Sequence, residues 1–146
     1  MELINMTSQH VAQVAALEKV CFSDPWSVNA ISSEVKNPLS LWFVAMEEDA
    51  VIGYIGSQSV IDQADIMNVA VAPAYRRRGV AELLVNRLQA ELAPKGVKYL
   101  FLEVRVTNDP AKSLYEKIGF EVVGRRPGYY TKPKEDALIM RKELGL

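Results

Sequence analysis

Residues 66 to 106 carry the feature that most restricts the fold: two β-rich runs joined by a helix. Ile66-Met67-Asn68-Val69-Ala70-Val71 is rich in branched side chains, and Leu83, Leu84, Leu88 and Leu92 recur at helical spacing in a helix predicted over residues 79 to 93. Lys98 to Val106 then returns to a strand, with Tyr99, Phe101, Glu103 and Arg105 on one face. A strand, helix, strand crossover within one sheet pairs its strands in parallel. At its turn stand Arg76, Arg77, Arg78, Gly79, Val80 and Ala81. The first N–H groups of a helix lack intrahelical acceptors and lie at the positive end of its dipole, so this junction suits an anion. The arginines add directional donors, and the small Gly79 and Ala81 would let a bulky diphosphate approach the main chain. A solvated, charged turn is the other reading of the three arginines.

Around this crossover the chain alternates short elements. Residues 2 to 5 read as a strand, and Thr7 as the cap of a helix with Val11, Val14, Leu17 and Cys21 on one face. Ser23-Asp24-Pro25-Trp26-Ser27 interrupts it before a helix over residues 27 to 35, which Asn37-Pro38 ends. Residues 40 to 46 and 51 to 60 form an expected hairpin, and a turn at Asp62 to Asp65 leads into the strand 66 to 71. Three antiparallel strands in sequence are therefore expected, the last of them opening the crossover. After it, Asp109 is the expected cap of a helix with Pro110 in its first turn, Ala111, Leu114, Tyr115 and Ile118 on one side, and Gly119 as its stop. Residues 120 to 124 and 136 to 141 are expected as a closing pair of strands, with Arg125 to Glu135 as a loop.

At 146 residues and 49% hydrophobic, the chain suits one compact domain over residues 1 to 146, burying roughly two thirds of its unfolded surface. A net charge of −1 lacks the basic footprint of nucleic-acid binders, so no direct nucleic-acid partner is expected. The single cysteine, Cys21, excludes an intrachain disulfide and zinc sites built on several cysteines, and it reads as a small buried hydrophobe on a helix. No metal site is assigned, and the lone His10 reads as a surface residue. No apolar run approaches the roughly 20 residues that cross a bilayer, and no basic, apolar leader opens the chain. A soluble, cytoplasmic protein without a membrane partner is expected.

The order of these residues resembles the Gcn5-related N-acetyltransferase (GNAT) superfamily over nearly the whole chain. That family's phosphate loop reads Gln or Arg, two residues, Gly, one residue, then Gly or Ala, and Arg76 to Ala81 fits it. Specificity comes from the combination with Asn68-Val69-Ala70-Val71, Leu102-Glu103-Val104-Arg105, Asn108, and Leu114-Tyr115-Glu116-Lys117-Ile118-Gly119-Phe120. With Asp24-Pro25-Trp26-Ser27, Tyr129-Tyr130 and Glu135-Asp136-Ala137-Leu138-Ile139-Met140, the likeness narrows to the ribosomal-protein-alanine N-acetyltransferase (RimI-type) branch. The turn after Tyr130, with Lys132, Pro133 and Lys134, is shorter than that branch often shows. The resemblance implies an α/β (α+β) GNAT fold, a mixed and centrally splayed sheet of about seven strands flanked by about four helices. It implies acetyl-CoA as co-substrate and, as partner, the N-terminal alanine of the eighteenth small-subunit ribosomal protein.

The resemblance also distributes roles. A bulge splays the strand before the phosphate loop from its parallel neighbour, so that Val69, Ala70 and Val71 would meet the pantetheine arm and the thioester. The cofactor site continues through Arg76, Arg77, Arg78, Gly79, Val80, Ala81 and Glu82 to Asn108, which also suits a plain helix start. Glu103 would be the base, since apolar neighbours raise a carboxyl pKa toward neutrality, although an ion pair with Arg105 on the same face fits equally well. Tyr115 would be the acid that protonates departing CoA, or a core aromatic with a satisfied hydroxyl. Trp26, Tyr129 and Tyr130 would wall the acceptor groove, with Glu135 and Asp136 drawing a basic segment. An α-amine with a pKa near 7.7 to 8.0 is about a tenth neutral at pH 7, a lysine below about 0.1%, so a terminal amine demands less of the enzyme. A lysine or small-amine acceptor, or a non-catalytic acyl-CoA sensor or scaffold, are the competing readings. Nucleotide hydrolysis lacks its Gly-Lys-Ser/Thr.

Overall fold

The structure, a computed structural model, describes residues 1–144. Seven strands form one sheet: β1 (Glu2–Asn5), β2 (Ser40–Glu47), β3 (Ala50–Val60), β4 (Gln63–Val71), β5 (Tyr99–Arg105), β6 (Glu121–Thr131) and β7 (Lys134–Glu143). Their order is β1-β2-β3-β4-β5-β7-β6, and only β4 and β5 run parallel. Helices α1 (Val11–Cys21), α2 (Val28–Lys36), α3 (Val80–Leu92) and α4 (Asp109–Lys117) cover it. The expected mixed sheet with four helices forms, and the GNAT fold with it.

Two apolar clusters sandwich the sheet. In β5, Leu100, Leu102 and Val104 are buried against Leu84, Leu88 and Leu92 of α3 and Tyr115 and Ile118 of α4, while Tyr99, Phe101, Glu103 and Arg105 turn to the other face. On that other face, Val14 and Leu17 of α1 and Ile31 of α2 pack on Trp42, Val44 and Tyr54. Complete burial of side chains such as Ile31 and Leu88 contributes roughly 1.5–3 kcal/mol each. Gly56 is required by this packing, since a Cβ there would lie 2.2 Å from the Trp42 ring.

Four local expectations change. The turn before β4 is confined to Ile61 and Asp62, and Gln63 to Asp65 belong to the strand because they pair with Tyr99 to Phe101 of β5. Asn108 rather than Asp109 caps α4, its Oδ1 accepting from the Ala111 N–H at 3.2 Å. Thr7 caps a short 3-10 turn, Ser8–His10, that leads into α1. Residues 125 to 135 are strand on both sides of a two-residue turn, Lys132 and Pro133. Pro127 and Gly128, residue types that disfavour a regular strand, are accommodated by tertiary pairing in an irregular stretch between Arg126 and Tyr130.

Candidate active site

The parallel pair opens almost as soon as it forms. β4 and β5 are in register only at Gln63–Asp65 with Tyr99–Phe101. Beyond this, Met67 is an extra residue against β3, since Gly56 faces Asn68 while the adjacent Ser57 faces Ile66. Such a bulge bends the strand and increases its twist. The hydrogen-bond phase then follows. Ala72 donates to the Ile52 carbonyl at 2.7 Å, so in this register Ala70 bonds to β3 while Val69 and Val71 direct their main-chain groups toward β5. That side is open. A cavity of about 710 Å³ occupies the opening, with Asn68 and Val69 on one wall, Glu103 on the other, and Asn108 and Tyr115 of α4 beside it.

Past Val71 the chain enters the arginine turn, which adjoins this cavity without lining it. Arg76 turns inward, its Nε donating to the Val71 carbonyl at 3.0 Å and its Nη2 to the Cys21 Sγ at 3.4 Å. Cys21 therefore does more than fill a core, ending α1 half-buried on the cavity wall. Arg78 lies over the Tyr75 ring at 5.2 Å. Arg77 and Gly79 both hold left-handed backbones, φ 65° and 78°. Alternating handedness of this kind curls successive N–H groups toward one point ahead of Val80, Ala81 and Glu82 in the first turn of α3. The main chain, with the exposed Arg77 as a free cation beside it, is thus the better anion cradle than all three guanidiniums together. Glu82 pairs with Lys117 at 3.5 Å.

Glu103 does not pair with Arg105. Its Oε1 lies 3.4 Å from Arg126 Nε on β6, and the carboxylate is 24% exposed. Burial raises its pKa above the ordinary value, Arg126 opposes this, and Asp65 on β4 adds to it. Tyr115 is 8% exposed, edge-on to Phe120 at 5.8 Å, and burial followed by Tyr130 drives its phenol far above its ordinary pKa. It keeps its proton at any physiological pH. Tyr130 is pushed up to about 12, chiefly by burial.

The remaining wall is assembled from distant parts of the chain. Trp26, Tyr129 and Tyr130 all line the cavity. The Trp26 N–H donates to Glu18 Oε1 at 2.9 Å, and its ring meets Trp42 edge-on at 5.6 Å. Glu18, 1% exposed, also accepts from the Tyr54 hydroxyl and from Asn68 Nδ2 at 2.7 Å. This one carboxyl ties α1, the Trp26 loop, β3 and the strand just beyond the bulge, and burial raises its pKa. Ser23 donates to the Lys132 carbonyl, so the α1–α2 loop reaches the β6–β7 turn across the cavity mouth. Arg105 holds the same turn from below, donating to the carbonyls of Lys132 and Pro133, with its guanidinium 4.2 Å from the Tyr130 ring centre.

Glu135 and Asp136 are already engaged and are not free to draw a basic segment. Glu135 accepts from Thr107 and Arg105, Asp136 from the Gly128 N–H and Arg125, and these bonds hold both carboxyls below their ordinary range. The residues that sequence reasoning missed are Met67, Glu18, Ser23 and Arg126. A polar Asn68 inside an apolar strand signals an irregularity, whereas the Arg126–Glu103, Glu18–Tyr54 and Ser23–Lys132 contacts span 23 to 109 residues and leave no local trace. Among the described residues no group of three His, Cys, Asp or Glu side chains could hold a metal, and no helix is long and apolar enough to cross a membrane.

Residues 11–120 match the family described as "Acetyltransferase (GNAT) family". A Haemophilus influenzae protein named ribosomal protein bS18-alanine N-acetyltransferase is 39% identical over 120 residues, 80% of each chain. The crystal structure of the ribosomal-protein-S18-alanine N-acetyltransferase from Escherichia coli superposes with a TM-score of 0.91 at 31% identity, covering 99% of this chain and 94% of that one. Arabidopsis thaliana NAA60, crystallised with acetyl-CoA, shares the fold at a TM-score of 0.89 and 17% identity over 98% of both chains. With its splayed β4–β5 pair and the turn that leads into α3, the chain belongs to the GNAT acetyltransferase family, within its ribosomal-protein-alanine N-acetyltransferase (RimI-type) branch.

Proposed function

We propose that this enzyme transfers the acetyl group of acetyl-CoA to the α-amine of a protein N-terminus, the N-terminal alanine of ribosomal protein bS18 being its substrate. The observation that carries this reading is the convergence of Glu103 and Tyr115 on the cavity where β4 and β5 part. Residues 1 to 146 act as one catalytic domain, and a ribosomal substrate puts the reaction in the cytoplasm.

Acetyl-CoA lies between β4 and β5, its diphosphate on the main chain from Arg77 to Glu82 with Arg76 and Arg78 flanking, and its arm along Val69, Ala70, Val71 and Asn108. Arg76 takes up the Val71 carbonyl and leaves the Val71 N–H as donor to the thioester oxygen. A donor of this kind, aimed at a developing oxyanion, contributes about 2.7–4 kcal/mol in other enzymes. Trp26, Tyr129 and Tyr130 hold the acceptor's first residues.

Glu103, ionised but with a raised pKa, takes a proton from the α-ammonium directly or through water. The freed nitrogen attacks the acetyl carbon, the C–N bond forms, the C–S bond breaks, and the surplus proton left on the new amide nitrogen passes to solvent. Tyr115 gives its proton to the departing sulfur, or holds the thiolate through a hydrogen bond until solvent supplies one. Its raised pKa keeps the hydroxyl protonated at neutral pH but makes full transfer to a thiolate, whose thiol titrates at about 8.5, uphill, so the hydrogen bond carries the role and solvent supplies the final proton.

The test is acetylation of peptides with free or blocked N-termini, with and without lysine, located by mass spectrometry. Label on free α-amines alone is expected, with a bS18 N-terminal peptide the best acceptor. Label at lysine only sinks the assignment, and acetyl-CoA binding without turnover on any peptide would make the chain a sensor.

A further inference from the structure

Arg126 has no part in the reaction just described, yet it is the nearest cation to Glu103. Its side chain is 55% exposed, its Nε lies 3.4 Å from Glu103 Oε1, and its guanidinium stands 5.5 Å from the centre of the Tyr129 ring, which lines the same cavity. It rises from the irregular stretch of β6, where the ladder to β7 lapses between Arg126 and Tyr130 and Gly128 has a left-handed backbone. A long exposed side chain on such a stretch moves at small cost.

We infer that Arg126 is a placeholder cation: it occupies the Glu103 carboxylate in the free enzyme, and the acceptor's α-ammonium exchanges for it as the N-terminus enters. The inference rests on the function proposed above. Exchange of one cation for another leaves the carboxylate balanced at each stage. It also favours acceptors that arrive protonated, since a neutral nucleophile brings no charge to displace the guanidinium. The other charged and titratable groups around Glu103 do not supply this cation. Arg105 is committed to Glu135 and the β6–β7 turn. Asp65 on β4 is anionic, Tyr115 on α4 and Tyr129 and Tyr130 on β6 stay neutral with raised pKa values, and Ile139 of β7 is apolar. Asp24 and Lys132 complete the cavity's titratable lining with Cys21.

The exchange is tested with Arg126→Ala and Arg126→Lys, each first checked for a wild-type melting temperature. In ¹³C-carboxyl NMR of the protein alone, the Glu103 titration should move to higher pH in Arg126→Ala and return in Arg126→Lys. With acetyl-CoA present, the acid limb of kcat/KM should move the same way, and above that limb the acceptor KM of Arg126→Ala should fall roughly twofold to fivefold, the strength of an exposed ion pair. An Arg126 ¹⁵Nε signal that shifts with a free α-amine peptide and CoA, but not with the N-acetylated peptide, completes the support. An unmoved Glu103 titration overturns the exchange alone, since it needs no substrate. A raised acceptor KM with an unmoved acid limb also overturns it, leaving Arg126 as a simple wall residue. Failure to bind any free α-amine peptide removes the proposed function and the exchange together.

Discussion

The two sides of the cavity are built by different means. The side proposed for the donor, from the bulge at Met67 through Val71 to the first turn of α3, is mostly main chain contributed by a short contiguous stretch. The acceptor side joins the loop after α1, the tip of β6–β7 and the end of β5 through side chains, including the Ser23 bond to Lys132 across 109 residues and the Arg105 bonds to the same turn. Main-chain sites need a defined backbone conformation and tolerate varied side chains. Side-chain sites need particular residues brought together by the whole fold. On the proposed function the donor, common to the family, meets the first kind of wall, and the acceptor, peculiar to a branch, meets the second.

If the two sides divide the work in this way, variants should separate them. Glu103→Gln, at the junction, should lower kcat about 10²–10⁴-fold, the range for a lost general base. Because the base must be ionised, its raised pKa places wild-type activity on a falling limb as pH drops, and the variant should lose that limb. A variant within twofold of wild type in pre-steady-state acetyl transfer would remove Glu103 from the chemistry. Gly79→Val should act on the donor side alone. Open space surrounds a Cβ there, so the effect comes from a β-branched residue at φ 78°, a strain of about 1–2 kcal/mol. An acetyl-CoA KM raised roughly tenfold with an unchanged acceptor KM is expected, and equal changes in both would show that the sides are coupled.

Ser23→Ala is the acceptor-side counterpart. Loss of one bond worth about 1 kcal/mol should raise the acceptor KM roughly fivefold and leave the acetyl-CoA dissociation constant, measured calorimetrically, at the wild-type value. The smallest effect concerns the point where the sides meet. Glu18 touches Trp26 on one side and Asn68 on the other, and its folded pKa lies above the unfolded value near 4.5. The folded state therefore holds the Glu18 proton more tightly, and stability from this group is present below the unfolded pKa and lost as pH rises through the folded one. Urea unfolding of wild type and Glu18→Gln at several pH values should show a difference that turns against wild type as pH rises. A constant difference would mean that the carboxyl titrates normally.

Much of the framework was legible in one dimension. The leucine spacing of α3, the alternation in β5 and the arginine-glycine turn are local patterns, and the crossover they imply leaves one pairing for β4 and β5. The candidate base and acid, Glu103 and Tyr115, stand out through the family likeness, but their partners do not. Glu103 and Arg105 share a face two residues apart, yet each pairs with a residue of the β6–β7 hairpin, Arg126 and Glu135, because that hairpin extends the sheet beside β5. That hairpin was hidden by Pro127 and Gly128, residues that mark loops in isolation and are absorbed here by an irregular register with a stable neighbour, β7.

By itself the sequence determined the period and handedness of the elements, the place of the arginine-glycine turn at the head of a helix and the identities of the acid and base candidates. These depend on neighbours a few residues away and on backbone sterics that act before any tertiary contact. Only the tertiary structure decided how far β4 and β5 stay paired, which cation sits on Glu103, that Glu135 and Asp136 are already engaged, and that Glu18 holds the two walls together. Each of those outcomes is a competition among charged or hydrogen-bonding groups far apart in the chain, and the geometry of the folded sheet selects the winner.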